Sequence, residues 1–431
     1  MDKTSFFSKS TLYLSYIFAY SLSLFPKLLP PIIILWSLSF IANFITQKKR
    51  IQFKPDFPQK ILILFYLFYV AGFFWSGNKE NALFALEVKL TLVLFPLMIS
   101  SDREFFRKNI RGILLFFVLG ILTSSLFCLT KSFLLSLSFD GKIYFNPIDS
   151  RYAGWAYGGN RFRYLGLSYI LHPTYYSLYI LLALIVDVIF LKNRIFINKY
   201  LNIVLKAAVP IFIVMIYLLS SKAVLISSLI VLVLFAVDLY KKYNNVQVKI
   251  SILFISLIII TVVITNPRFG KLMKAIENPE TIMDNSTDGS FISRVHIWEA
   301  AIDIVRRNFL FGVGPGDTNG TLVTEYKKNN FIDPYEKKSN AHNQYLETFI
   351  NTGVFGFVTL LLLLIVPLFI LEKQNILYKI FLIMIAFNFL FESMLNTIAG
   401  VLFFGFFYNL LSTLKENEFQ DMGKHSIGDI V

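Results

Sequence analysis

Long apolar runs separated by short polar gaps make up most of the chain. Runs near the roughly 17 to 25 residues that a helix needs to cross a hydrocarbon core follow one another closely. They are Thr11 to Phe25, Leu28 to Thr46, Lys60 to Trp75, Asn81 to Ile99, Asn109 to Leu135 and Leu165 to Leu191. They continue with Leu201 to Ser220, Ala223 to Tyr240, Val248 to Thr265, Tyr345 to Leu371, Ile376 to Phe391 and Met394 to Leu414. The pattern predicts an all-α fold: a polytopic bundle of about 12 transmembrane helices. Helices 1–9 fall in residues 1–265 and helices 10–12 in residues 345–414, and a polar tail over 415–431 is expected to be flexible.

Loop charge orients the bundle. With the N-terminus inside, the inside loops carry Lys48, Lys49, Arg50 and Lys54, then Arg103, Arg107 and Lys108, then Lys192, Arg194 and Lys199, then Lys241 and Lys242, and finally Lys373. The short outside turns carry only Lys27, Lys79 and Lys222. Basic residues accumulate in cytoplasmic loops, so both termini are expected in the cytoplasm and the chain in the inner membrane.

Two outside segments exceed simple turns. One runs from Phe139 to Tyr164; the other, residues 266–344, is a large periplasmic loop with its own amphipathic helix. Ser290 or Ser293 can cap that helix, Ile292, Val295, Ile302 and Val305 share helical spacing, and Arg306 and Arg307 suit its C-terminal end. It is expected to lie along the membrane surface.

Composition narrows the function classes. With 56% hydrophobic and 16% charged residues, the chain is too apolar for an ordinary soluble domain. Its net charge of +14 sits in short gaps rather than on a water-exposed stripe, so nucleic acid is not an expected partner, whereas membrane lipids are. The lone Cys128 excludes an intramolecular disulfide. No Asp-x-Asp pair and no His-Glu-x-x-His motif occurs, so neither a metal site nor a cofactor is expected.

Candidate chemistry gathers outside. His342, in Ser339-Asn340-Ala341-His342-Asn343-Gln344, sits where the large loop meets a transmembrane helix. A neutral imidazole there can accept a proton from a hydroxyl nucleophile. Equally, His342 and Asn343 can simply satisfy free backbone groups at a helix start. Arg294 and His296 share the loop helix with Trp298 and Glu299; Arg294 can grip a diphosphate or pair with Asp288 or Glu299. Lys222, after Ser220 and Ser221 at a tight turn, poses the same choice between ligand and interface anchor. His172-Pro173 near the outer end of a span suggests a broken helix lining a cavity, and Arg161 and Arg163 add charge beside it. Gly312-Val313-Gly314-Pro315-Gly316 lacks the Lys-Ser/Thr of a P-loop and reads better as a helix C-cap and turn than as an anion cradle.

Taken in order, the large late loop, Ser293-Arg294 followed by Trp298, the Gly-x-Gly-x-Gly turn, and His342-Asn343 before Gly353 and Gly356 resemble the O-antigen ligase and O-antigen polymerase superfamily. The resemblance is strongest from Ser290 to Gly356. It implies transfer of a glycan from an undecaprenyl diphosphate carrier to an acceptor hydroxyl, on another glycan or on lipid A core, at the periplasmic face without metal or nucleotide. The family's histidine maps onto His342 and its loop arginine onto Arg294. A second family arginine falls on Lys222, a departure that keeps charge but loses bidentate geometry and brings Arg161 or Arg163 into consideration as helpers. His342 is then the expected base, Arg294 and Lys222 the diphosphate clamp, and Asn343, Trp298 and His172 supporting residues. A membrane transporter is the rival reading of another class.

Overall fold

A computed structural model describes residues 3–47, 52–139, 141–149, 159–242, 289–370 and 375–415, with scattered positions between 250 and 266. Most of the expected span Val248 to Thr265, the first part of the large loop, Lys373, His425 and most of the polar tail lie outside these described residues.

The bundle begins with α1 (Lys3–Ser21), α2 (Leu29–Thr46) and α3 (Phe57–Trp75). Next come α4 (Lys79–Lys89), α5 (Thr91–Ser101) and the long α6 (Arg103–Ser136). A small hairpin of β1 (Leu137–Phe139) and β2 (Ile143–Phe145) pairs Ser138 with Tyr144, and α7 (Pro173–Lys192), α8 (Lys199–Leu219) and α9 (Lys222–Lys242) follow. The large loop holds α10 (Gly289–Arg307), α11 (Thr318–Lys328) and α12 (Ile332–Glu336); α13 (Gln344–Ile370), α14 (Ile376–Phe389) and α15 (Ile398–Leu411) complete the described elements. Among the described residues, seven helical segments are long and apolar enough to cross a membrane, and three more are apolar but shorter. The chain is a multi-pass, mostly helical membrane protein.

Why the aromatic content is so high becomes clear in the core. Phe18 of α1, Trp36 of α2, Phe95 of α5 and Phe406 of α15 form a four-ring cluster whose centroids all lie 4.9 to 6.1 Å apart, most of them edge to face. Such rings bury large apolar area and prefer tilted contacts. Many of the aromatics therefore join helices to one another, beyond the lipid-facing and headgroup positions that composition suggests.

Two predicted spans are broken. The run Asn81 to Ile99 forms α4 and α5, separated at Leu90, whose N–H returns to the Glu87 carbonyl at 3.2 Å. Helix α13 is interrupted at Gly353, with φ 66° and ψ −162°, a conformation open only to glycine. The interruption frees backbone groups that pair with the loop: Val313 N–H donates to the Ile350 carbonyl at 2.8 Å, Gly314 N–H to that of Asn351 at 3.1 Å, and Val354 N–H to the loop carbonyl of Phe309 at 2.9 Å.

That contact explains the glycine-rich turn. Gly312, at φ 69°, closes the turn that follows α10 by donating to the Asn308 carbonyl at 3.0 Å, and Gly316 N–H donates to Ser76 Oγ at 3.1 Å. A Cβ on Gly314 or Gly316 would overlap Ser76 or Asn78. The turn thus spends N–H groups on docking the loop against the end of α3 and against α13. Asp317 reinforces the seam by accepting from Gly77 and Asn78 N–H at 2.5 and 2.9 Å.

The loop helix forms where expected, but a different face is buried. Ile297, Ala300, Ala301 and Ile304 pack with Leu322 and Tyr326 of α11 and Ile350 of α13, whereas Val295 and Ile302 are exposed. Alanines carry little hydrophobic signal in a sequence, yet their small size lets helices approach closely. Ser293 does not cap the helix; it lies inside it, and the Ser290 side chain is outside the described residues.

Candidate functional site

One end of the bundle is built from helix starts. Helix α7 begins at Pro173, α9 at Lys222 and α13 at Gln344, while α8 and α14 finish there. Helix N-termini carry unpaired N–H groups and partial positive charge, so their convergence favours an anion. The chain reaches this geometry through local turns: Ser220 adopts a left-handed conformation at φ 50°, ending α8 so that α9 can begin two residues later.

Between these starts and the loop lies a pocket of about 860 Å³ of empty space, its open mouth included. Its bundle side is formed by Tyr164, His172, Thr174, Ser221, Lys222 and Ala223, with Phe391 and Glu392 beyond α14. The loop contributes Ser293, Arg294, Ile297, Asp333, Lys337, Ser339 and His342. Four expected site residues, His172, Lys222, Arg294 and His342, therefore meet in one cavity although they come from separate parts of the chain.

The two readings of the His342 region separate here. Asn343 is the cap: its Oδ1 accepts from Tyr345 and Leu346 N–H at 2.9 and 3.1 Å. His342 is not. Its backbone is left-handed, at φ 43°, a conformation costing a non-glycine residue on the order of 1–3 kcal/mol, and Asn340 Oδ1 accepts its N–H at 3.0 Å. This turn sends the imidazole into the pocket, where Nδ1 lies 3.6 Å from Glu392 Oε1. That separation is long for a hydrogen bond but within ion-pair reach.

Glu392 is the functional candidate that sequence reasoning missed. It is buried, and burial alone would raise its carboxyl; His342, His172 and Arg294 outweigh this and hold it below the usual carboxylate value. The signal available was a lone carboxylate in Phe391-Glu392-Ser393, between two apolar runs. On the loop side, Asp333 pairs with Lys337 at 2.5 Å; burial pushes its carboxyl up, and Lys337 and Ser293 together bring it below its ordinary value.

Other expected residues are placed outside the pocket lining. Arg161 pairs with Asp149 at 3.2 Å, both side chains largely buried, and the Ile148–Asn160 bridge beside it ties down the same segment. Arg163 lays its guanidinium over the Tyr217 ring at 4.8 Å. Both have a partner within the protein, Asp149 for Arg161 and the Tyr217 ring for Arg163, which a count of outside charges does not reveal. Trp298 supports the site from behind, with Nε1–H donating to the Ala341 carbonyl at 3.1 Å. His296 stacks on Phe331 at 4.2 Å and turns away from chemistry.

Fold and cavity together define a class: a multi-pass membrane protein with a cationic, histidine-bearing pocket at one end of its bundle. Residues 207–361 match the model of the O-antigen ligase family. The resemblance to the O-antigen ligase and polymerase superfamily is thus shown over a span that contains Lys222, Arg294 and His342. An uncharacterized protein of Haemophilus influenzae is 28% identical over 140 residues, 32% of this chain and 35% of that protein. The match thus spans about a third of the relative's length.

Proposed function

We propose that the protein transfers a glycan from an undecaprenyl diphosphate carrier to an acceptor hydroxyl at the periplasmic face of the inner membrane. The observation that carries this reading is the meeting of His342, backed by Glu392, with Lys222 and Arg294 in one pocket. In the proposed reaction the acceptor hydroxyl gives its proton to His342 Nε2 while its oxygen bonds to the anomeric carbon. The bond from that carbon to the diphosphate oxygen breaks, and undecaprenyl diphosphate leaves with the bonding electrons. Glu392 favours the tautomer with the proton on Nδ1, which leaves Nε2 free as base, and stabilises the imidazolium that forms. Lys222, Arg294 and the start of α9 supply positive charge where the diphosphate gathers negative charge. Lys in place of a second Arg gives a point charge instead of a fork.

Purified protein incubated with undecaprenyl-diphosphate-linked glycan and candidate acceptors tests the reading: carrier release should depend on acceptor. Solute uptake into liposomes without consumption of any lipid-linked donor would favour the transporter instead. A polymerase differs from a ligase chiefly in its acceptor, another carrier-linked repeat in place of a lipid A core sugar. A deletion strain left with a single repeat on the core points to the polymerase, and long chains stranded on the carrier point to the ligase.

A further inference from the structure

Glu347 lies in the first turn of α13 and is 1% exposed, an expensive place for a carboxylate unless its oxygens are matched. They are. Oε2 accepts from Ala341 N–H at 2.9 Å and, more loosely, from Ser393 Oγ at 3.4 Å; Oε1 accepts from Asn396 Nδ2 at 2.7 Å. Ser393 Oγ in turn accepts the Asn343 N–H at 3.2 Å.

Ala341 and Asn343 flank His342, and Ser393 follows Glu392. One buried carboxylate therefore grips the turn that presents the imidazole and the turn that presents its acidic partner. Buried Lys89, seated over the Tyr69 ring at 4.6 Å, is close enough for its charge to act on Glu347. A second link joins the same two turns without using that charge: Leu395 N–H donates to Gln344 Oε1 at 2.6 Å. The two segments would stay together on that link and on packing, whereas the register between His342 and Glu392 depends on Glu347.

We propose that Glu347 is a positioning residue, which aligns His342 with Glu392 for proton transfer without touching substrate. The inference rests on the reading of His342 as base. Misplacement of a reacting group by about 1 Å can cost on the order of a hundredfold in rate, so Glu347→Gln and Ser393→Ala should each lower kcat by about ten- to a hundredfold. The KM for carrier-linked glycan should stay at the wild-type value, and the thermal midpoint should fall only by what the lost buried hydrogen bonds explain.

The decisive arm is the double variant. If Glu347 acts through His342, Glu347→Gln should not lower further the residual rate of His342→Ala, because residues acting as one unit are not additive. Wild-type kcat in folded Glu347→Gln and Ser393→Ala overturns the positioning role, as does an equal loss from Glu347→Gln with and without His342. Should Glu347→Gln fail to insert, the kcat of Ser393→Ala alone decides. A His342→Ala protein that transfers glycan at the wild-type rate removes the base assignment itself; an inactive His342→Ala beside a normal Glu347→Gln removes only the positioning role.

Discussion

His342 Nδ1 faces Glu392 Oε1 across 3.6 Å, with the histidine at the start of α13 and the glutamate in the turn after α14. The pair gives the imidazole a direction. With Nδ1 turned to a buried carboxylate, Nε2 is the nitrogen left to meet a hydroxyl. In the proposed transfer, a carboxylate in this place would also stabilise the imidazolium formed when His342 takes the hydroxyl proton.

Glu392→Gln tests that pairing. The amide keeps the shape of the side chain but not its charge, so the imidazolium formed in the transition state loses its partner. General-base assistance is worth on the order of a hundredfold or more, and an expected loss of about ten- to a hundredfold in kcat with little change in KM follows. Initial rates of acceptor-dependent carrier release measure it. Unchanged kcat would leave Glu392 as a bystander.

The proposed diphosphate clamp predicts a different signature. If Lys222 and Arg294 face the developing negative charge, Lys222→Ala and Arg294→Ala should each cost about 3 kcal/mol, roughly a hundredfold in kcat/KM. Lys222→Arg should retain activity, since it restores a forked donor at a position already tolerant of charge. Arg161→Ala should behave otherwise: its partner is Asp149, so the expected harm is to thermal stability, with kcat/KM kept in the protein that remains folded. Steady-state kinetics beside thermal unfolding separates the two groups.

Gly353 offers a structural test. At φ 66° its conformation is closed to side chains, and an added Cβ would overlap the Leu310 carbonyl. Gly353→Ala should cost about 1–3 kcal/mol from backbone strain and loosen the docking of the loop on α13. A lowered thermal midpoint in detergent is the expected result. An unchanged midpoint would mean that the kink tolerates a side chain and that the glycine is not needed for it.

How much of this was legible in the sequence follows from the physics of each feature. The multi-pass helical character was legible because lipid demands long apolar runs whatever the residue order inside them, and seven described helices meet that length. The breaks at Leu90 and Gly353 were not, since neither interrupts hydropathy. His342 and Lys222 stood out as polar residues at the ends of apolar runs and Arg294 as a basic residue on the loop helix, and the pocket brings all three together. Arg161 and Arg163 stood out as outside charges beside His172, and their contacts with Asp149 and Tyr217 are partners that charge alone does not reveal. Glu392 and Glu347 passed unnoticed because their meaning lies in contacts between α13 and the turn beyond α14, which are distant in sequence. The face of α10 was misread because Ala300 and Ala301 weigh little in a hydrophobic pattern but pack tightly.

Loop stability should depend on pH through Glu325. This residue on α11 is largely buried and accepts from Arg307 of α10 while Lys328 approaches its other oxygen at 3.2 Å. Burial pushes its carboxyl up, but the two cations more than offset that and hold it below its ordinary value. A group depressed in the folded state stabilises fully above its unfolded value, near 4.3 for Glu, and loses that contribution as pH falls through the lower folded value. The thermal midpoint should therefore be insensitive to this group from neutral pH down to about 5 and fall below about 4. Glu325→Gln should lower the midpoint at neutral pH and remove that part of the acid loss. Thermal unfolding of both proteins between pH 7 and pH 3 decides the matter, and an identical acid loss in the two would assign it to other carboxylates.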